Sequence, residues 1–320
     1  MARKGSLMIE CLVMFAVLAA TGCSGSPTEP GDLSSSAPGD TIQTPPAPPA
    51  AASLVRECAG PDPAWIWCDD FEEDRLGSYF EHARADGDFD RLDGVGLEGS
   101  SGMRTLFREG KAGAGWLHLA FGKTPQARMR PVDDGTRIYR EIYWRFYVRN
   151  EPGWTGGGGR KLTRARGFAS ADTWQQSFEA PLWSGNKDDT LDLLLLDPVS
   201  GTDETGALLP YESGSIGEGA RWLGIKRGTT PLFDVGHIGA WYCVEVHARL
   251  NDAGLSNGEF KFWIDGNLEA RRDGMNWVGS FAQFGINTIS LDNYWNDGAP
   301  KDQERYLDNF VVSTERIGCS

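Results

Sequence analysis

The sequence predicts an all-β fold, a sandwich of two antiparallel sheets, on three observations. Residues 137–149 (RIYREIYWRFYVR) alternate without a break. Ile138, Ile142, Trp144, Phe146 and Val148 fall on one face; Tyr139, Glu141, Tyr143, Arg145, Tyr147 and Arg149 fall on the other, the period-two signature of a strand. Residues 241–267 read as a hairpin, with apolar alternation on both sides of the Asn257-Gly258 turn. The chain also carries 41 Gly, 12 Trp and 15 Phe and shows no sustained helical period, a mix that suits many short strands and tight turns.

The elements follow in chain order. Arg3 and Lys4 precede the apolar run Cys11 to Ala20, which is too short to span a bilayer, and small residues lead from it to Cys23. This is a targeting segment, residues 1–22, and its ending ATGC resembles the lipobox of bacterial lipoproteins, in which the cysteine is lipidated. Residues 23–53 then give the lipidated Cys23 and a Pro/Ser/Ala-rich tether that cannot bury enough surface to fold. The expectation is a monomer in the bacterial cell envelope, touching the membrane only through its lipid.

From residue 54 to 320 the pattern is that of one domain. Trp65 to Phe71, Trp116 to Phe121 and the strand at 137–149 come first. The glycine run at 156–159 leads into a basic cluster, Arg160, Lys161, Arg164 and Arg166, which reads as a loop. Leu191 to Leu196 is an apolar run consistent with a buried strand, and Trp222 to Lys226 is a short one. In the hairpin, Tyr242, Val244, Val246, Ala248 and Leu250 face the core, followed by Phe260, Phe262 and Ile264. Cys243, Glu245, His247, Arg249, Lys261 and Trp263 face away. Ile286 to Trp295 and Tyr306 to Ser313 close the chain.

Besides Cys23, four cysteines lie beyond the signal: Cys58, Cys68, Cys243 and Cys319. An even count in an exported chain reads as two disulfides with three pairings open. Because Cys58 and Cys319 bracket the domain, a bridge tying its ends is expected. The net charge of −14 argues against a nucleic-acid partner, which needs a basic footprint. Zinc spacing, a P-loop and an H-E-x-x-H motif are absent from the sequence.

Five segments, read in order, carry a resemblance. They are CDDFE, YREIYWRFYVRNEPGW with its following glycines and Lys-Leu, WYCVEVHARLN, the run GEFKFWIDG, and YLDNFVVSTERIG. Together they resemble concanavalin A-like jelly rolls of the polysaccharide lyase type, notably the family 14 and family 20 alginate and glucuronan lyases. The resemblance implies a jelly-roll β-sandwich with one concave sheet that binds a uronate-containing polysaccharide. It also implies that no cofactor is needed for the chemistry and that a structural Ca²⁺ sits between the first and last strands, held by Asp70 and Asp308.

β-Elimination needs a cation at the uronate carboxylate, a base for the C5 proton and an acid for the leaving O4. Because Tyr143, Arg145 and His247 lie on the non-core faces of their strands, Arg145 and Lys161 are expected at the carboxylate, with Tyr143 or His247 handling the protons. Tyr139, Glu141, Tyr147, Glu245 and Trp263 would contact the sugar chain. Each residue also has a structural role open to it, such as a cross-strand ion pair or a core ring, and the jelly roll equally hosts non-catalytic lectins. The expectation is therefore an exported lipoprotein that binds and cleaves an acidic polysaccharide, with a surface carbohydrate-binding module as the alternative.

Overall fold

Alternating apolar side chains need two layers to bury them, and this chain supplies both as antiparallel sheets. The computed structural model describes residues 54–319 except 157–158, 186–191, 211–215, 217–218, 233 and 235. The chain divides into two units, Met1–Pro48 and Pro49–Ser320, and only the second holds described residues. The signal segment, Cys23 and the tether over residues 1–53 lie outside them, as does Leu191 of the expected apolar strand.

The strands are β1 (Trp65–Asp69), β2 (Glu81–Ala83), β3 (Phe89–Leu92), β4 (Gly102–Phe107), β5 (Gly113–Ala120) and β6 (Glu141–Asn150). Next come β7 (Arg160–Phe168), β8 (Gln176–Ser184), β9 (Leu194–Leu196), β10 (Val199–Ser200), β11 (Arg221–Trp222) and β12 (Lys226–Arg227). The last are β13 (Tyr242–Arg249), β14 (Gly258–Ile264), β15 (Asn267–Met275), β16 (Thr288–Trp295) and β17 (Gln303–Ser313). The first sheet runs β15-β14-β13-β6-β17-β4-β3, with β1 also on β17. The second runs β11-β10-β8-β7-β16-β5-β2, with β9 on β8 and β12 on β9. Neither sheet closes into a barrel, and the result is an antiparallel jelly-roll sandwich.

The core lies between the sheets. Ile142, Trp144, Phe146 and Val148 of β6, Val244, Val246 and Ala248 of β13, and Phe260, Phe262 and Ile264 of β14 fill it from one side. Leu117 and Leu119 of β5, Leu162 and Ala165 of β7, Phe178 and Leu182 of β8, and Ile289 and Leu291 of β16 fill it from the other. Each fully buried large apolar side chain contributes about 1.5–3 kcal/mol. Asp265 and Gly266, both with positive φ (47° and 78°), make the two-residue turn from β14 to β15.

Two expectations are corrected here. The basic cluster is not a loop but β7, paired between β16 and β8. The disulfides are Cys58–Cys68 and Cys243–Cys319, so no bridge joins Cys58 to Cys319. The first ties the turn at Leu54–Ala59 to β1; the second ties the C-terminal tail to β13.

Candidate functional site

The polar face of β6 and β13 is the outer face of the first sheet, and the turn at Leu54–Ala59 and the tail at residues 315–319 cover much of it. Arg145 is 1% exposed and pairs with Glu57 from the turn before β1, while its guanidinium also donates to Gly318 O at 3.4 Å. Glu245 is fully buried, accepting from Ile317 N (2.7 Å), Gly318 N (3.2 Å) and Arg316 Nε (3.3 Å). Tyr147 packs with Leu97, Cys243, Trp241 and Cys319, and the Arg316 guanidinium lies 4.7 Å above the Trp263 ring. The Tyr143 ring lies tilted against buried His247 at 4.4 Å, and Glu141 takes a 2.7 Å hydrogen bond from His247 Nε2. Burial outweighs that carboxylate and holds the His247 pKa below its ordinary value.

The expected single groove of Tyr143, Arg145, Lys161 and His247 is therefore not formed. Lys161 stands on β7, in the other sheet. Nor does Tyr139 belong to a sugar-binding row. The alternation of residues 137–149 extends past the start of β6 at Glu141, and Tyr139 turns into the core, its ring 5.5 Å from Phe121 and its hydroxyl donating to Asp133 at 2.9 Å.

The outer face of the second sheet carries a groove instead. Cross-strand partners share a face, and the register aligns Glu81, His118, Ser290 and Arg164 across β2, β5, β16 and β7. A second row aligns Thr288, Arg166 and Glu179, and a third aligns Tyr294, Lys161 and Trp183. A cavity of about 610 Å³ is lined by Phe80, Glu81, His118, Arg128, Arg166 and Trp174, among others. It shares His118, Arg166 and Gln176 with an adjoining one of about 230 Å³, which is also lined by Lys161, Arg164, Asp292 and Tyr294.

The charges in this groove are ordered. Asp292 Oδ2 accepts from Arg164 Nε at 2.7 Å and from Ser290 Oγ at 2.9 Å. Burial pushes the Asp292 carboxyl up, but Arg164, His118 and Arg166 outweigh it and hold it well below the usual carboxylate range. Arg166 sits among burial and the neighbouring Arg164 charge, which bring its guanidinium down to about 10. Its Nε is buried without a hydrogen bond, 3.7 Å from Glu179 Oε1. Burial, and then Arg164, lower the Lys161 ammonium. Lys161 makes no ion pair among the described residues; its Nζ lies 4.7 Å from the Tyr294 ring and 5.6 Å from that of Trp183.

His118 Nδ1 stands 2.9 Å from Glu81 Oε2, and the bond from His118 lowers the Glu81 pKa. A carboxylate at Nδ1 orients the ring, and Nε2 lies 3.5 Å from an Arg166 terminal nitrogen and 3.6 Å from Asp292 Oδ1. A lysine, an oriented imidazole and a phenol thus share one groove. His118 is legible in the sequence as the polar alternate of WLHLAF, between Leu117 and Leu119. Glu81 and Asp292 give no such signal, because only the sheet order brings β2 and β16 beside β5.

The expected calcium ligands have other partners. Asp70 Oδ2 accepts from Cys58 N at 3.0 Å, and Asp308 Oδ2 accepts from Leu97 N (2.7 Å) and Ser100 Oγ (3.2 Å). Burial pushes Asp308 up to about 7. N–H and O–H donors are the opposite of a calcium shell, and no cluster of three or more His, Cys, Asp or Glu suited to a metal occurs among the described residues.

The fold is a jelly-roll β-sandwich that alginate and glucuronan lyases of known structure share. An alginate lyase from Chlorella virus superposes with a TM-score of 0.52 at 12% identity, covering 75% of this chain and 94% of that one. The marine PL-14 alginate lyase from Aplysia kurodai gives 0.53 at 13% identity, covering 78% and 99%. An endo-β-1,4-glucuronan lyase from the fungus Trichoderma reesei gives 0.47 at 14%, covering 79% and 92%. No family model matches the sequence, and no curated protein matches it.

Proposed function

We propose that this chain binds a uronate polysaccharide of the alginate or glucuronan kind along the outer face of the second sheet and cleaves it by β-elimination. The observation that carries the reading is the groove in which Lys161, with no ion pair among the described residues, stands beside Tyr294, with Arg166 further along the same strand and the Glu81-oriented His118 two strands across. In this scheme Lys161 and Arg166 hold the C6 carboxylate, offsetting the charge that builds as the C5 proton leaves. His118 Nε2 takes that proton, the C5–H electrons form the C4=C5 double bond, and the C4–O4 bond breaks. Tyr294 gives its proton to O4, and solvent restores both residues.

The test is incubation with a panel of uronate polymers while following the ultraviolet absorbance of the new double bond. Product from at least one polymer is expected. Retention of polymer without product would overturn the lyase and leave a carbohydrate-binding module, a reading favoured by the aromatic wall of Phe80, Phe168 and Trp174, which can hold sugars with no chemistry.

Export and lipid anchoring belong to the same reading. They are supported by the apolar run ending at Cys23 and by two disulfides in the domain, which suit an oxidising compartment. Cys23→Ser is expected to abolish incorporation of labelled fatty acid; undiminished labelling would contradict the anchor.

A further inference from the structure

Arg128 stands on the wall of the larger cavity and is committed to no carboxylate among the described residues. It is nevertheless held in place. Its guanidinium centre lies 4.0 Å above the Trp174 ring, and its Nε donates to Gln126 Oε1 at 2.9 Å. Gln126 is fixed in turn, its Nε2 donating to Ser170 O (3.3 Å) and Thr173 O (3.1 Å). Trp174 is braced by Phe168, edge-on at 5.2 Å, and by Phe80, stacked at 6.4 Å, and Phe80 lies 5.6 Å from the His118 ring.

Stacking and the Nε bond hold the plane of the guanidinium and leave its two terminal nitrogens for a ligand. A planar fork held this way loses little freedom on binding, and it fits a carboxylate by two parallel hydrogen bonds. In a chain of net charge −14, a held guanidinium with no acid on it among the described residues is a site for an anion from outside. Beyond Arg128 and Trp174 the surface drops into a second depression of about 490 Å³, also lined by Gln126 and Asp172. The pair is thus a ridge that a polymer can cross, not the end of the groove.

The geometry points to Arg128 as a specificity residue that reads the carboxylate of a second uronate, displaced along the polymer from the sugar presented to His118. The inference rests on the reading of the groove as a uronate site. It adds that the ligand carries acid on more than one sugar within reach, so chains that dilute uronates with neutral sugars are poorer substrates.

The experiment compares wild type, Arg128→Ala and Arg128→Lys on uronate oligosaccharides and on the same oligosaccharides with their carboxyls partly reduced to alcohols. Calorimetric Kd and steady-state kinetics are both read, and circular dichroism checks the fold. For Arg128→Ala, KM and Kd for the full uronate are expected to rise about tenfold or more with kcat within twofold. Arg128→Lys should recover part of that loss, and the variants should converge with wild type as carboxyls are removed. Equal Kd for wild type and Arg128→Ala on the full uronate would overturn the role of Arg128 alone. If wild type neither binds nor cleaves any uronate chain, the reading beneath it falls as well.

Discussion

Lys161 is the residue at which the chemistry is easiest to test, because burial and Arg164 have already displaced its pKa downward. If its charge holds the substrate carboxylate, activity falls as pH rises through a value below the ordinary lysine pKa of about 10.4. An arginine in the same place titrates higher than a lysine. Lys161→Arg should therefore carry the alkaline limb of the pH–rate profile upward, and Lys161→Ala should lower kcat/KM by about a hundredfold or more. Coincident alkaline limbs in wild type and Lys161→Arg would remove the lysine from that role. Tyr139 teaches the opposite lesson. Its place in an unbroken alternation suggested a wet face, but the alternation outran the strand, and its ring went to the core.

At the scale of elements, the strands that alternate cleanly were legible. In β6, β13 and β14 the predicted core faces are the observed ones. β7 was not legible. A register shift between Lys161 and Thr163 breaks its period, and its outward arginines look like a solvated run when their acids, Glu179 and Asp292, are on distant stretches of sequence. Alternation tells which side chains share a face, not what covers that face, and this is why Arg145 and Glu245 looked available. The cover is the tail from Glu315 to Cys319 and the turn at Leu54–Ala59.

That tail also yields a prediction. The Cys243–Cys319 bridge closes a span of 76 residues, worth about 4 kcal/mol by loop entropy. Cys243→Ser with Cys319→Ser should lower Tm and expose the tail to proteases, while activity at low temperature persists because the groove is on the other sheet. Loss of activity in a protein still folded by circular dichroism would contradict that arrangement.

For the whole molecule, the two sheets do different work. The first is sealed over much of its outer face by the turn at Leu54–Ala59 and the tail at residues 315–319, with Arg145 and Glu245 buried in that seal. The second leaves open a groove with a lysine, an oriented histidine and an aromatic wall. The most direct measurement sets the histidines of the two faces against each other, reading double-bond formation from the preferred uronate polymer by His118→Ala and His247→Ala at matched folded concentration. His118→Ala should lose a hundredfold or more of the rate, and His247→Ala should keep a rate close to wild type. An active His118→Ala beside an inactive, folded His247→Ala would contradict the placement of the site on the second sheet.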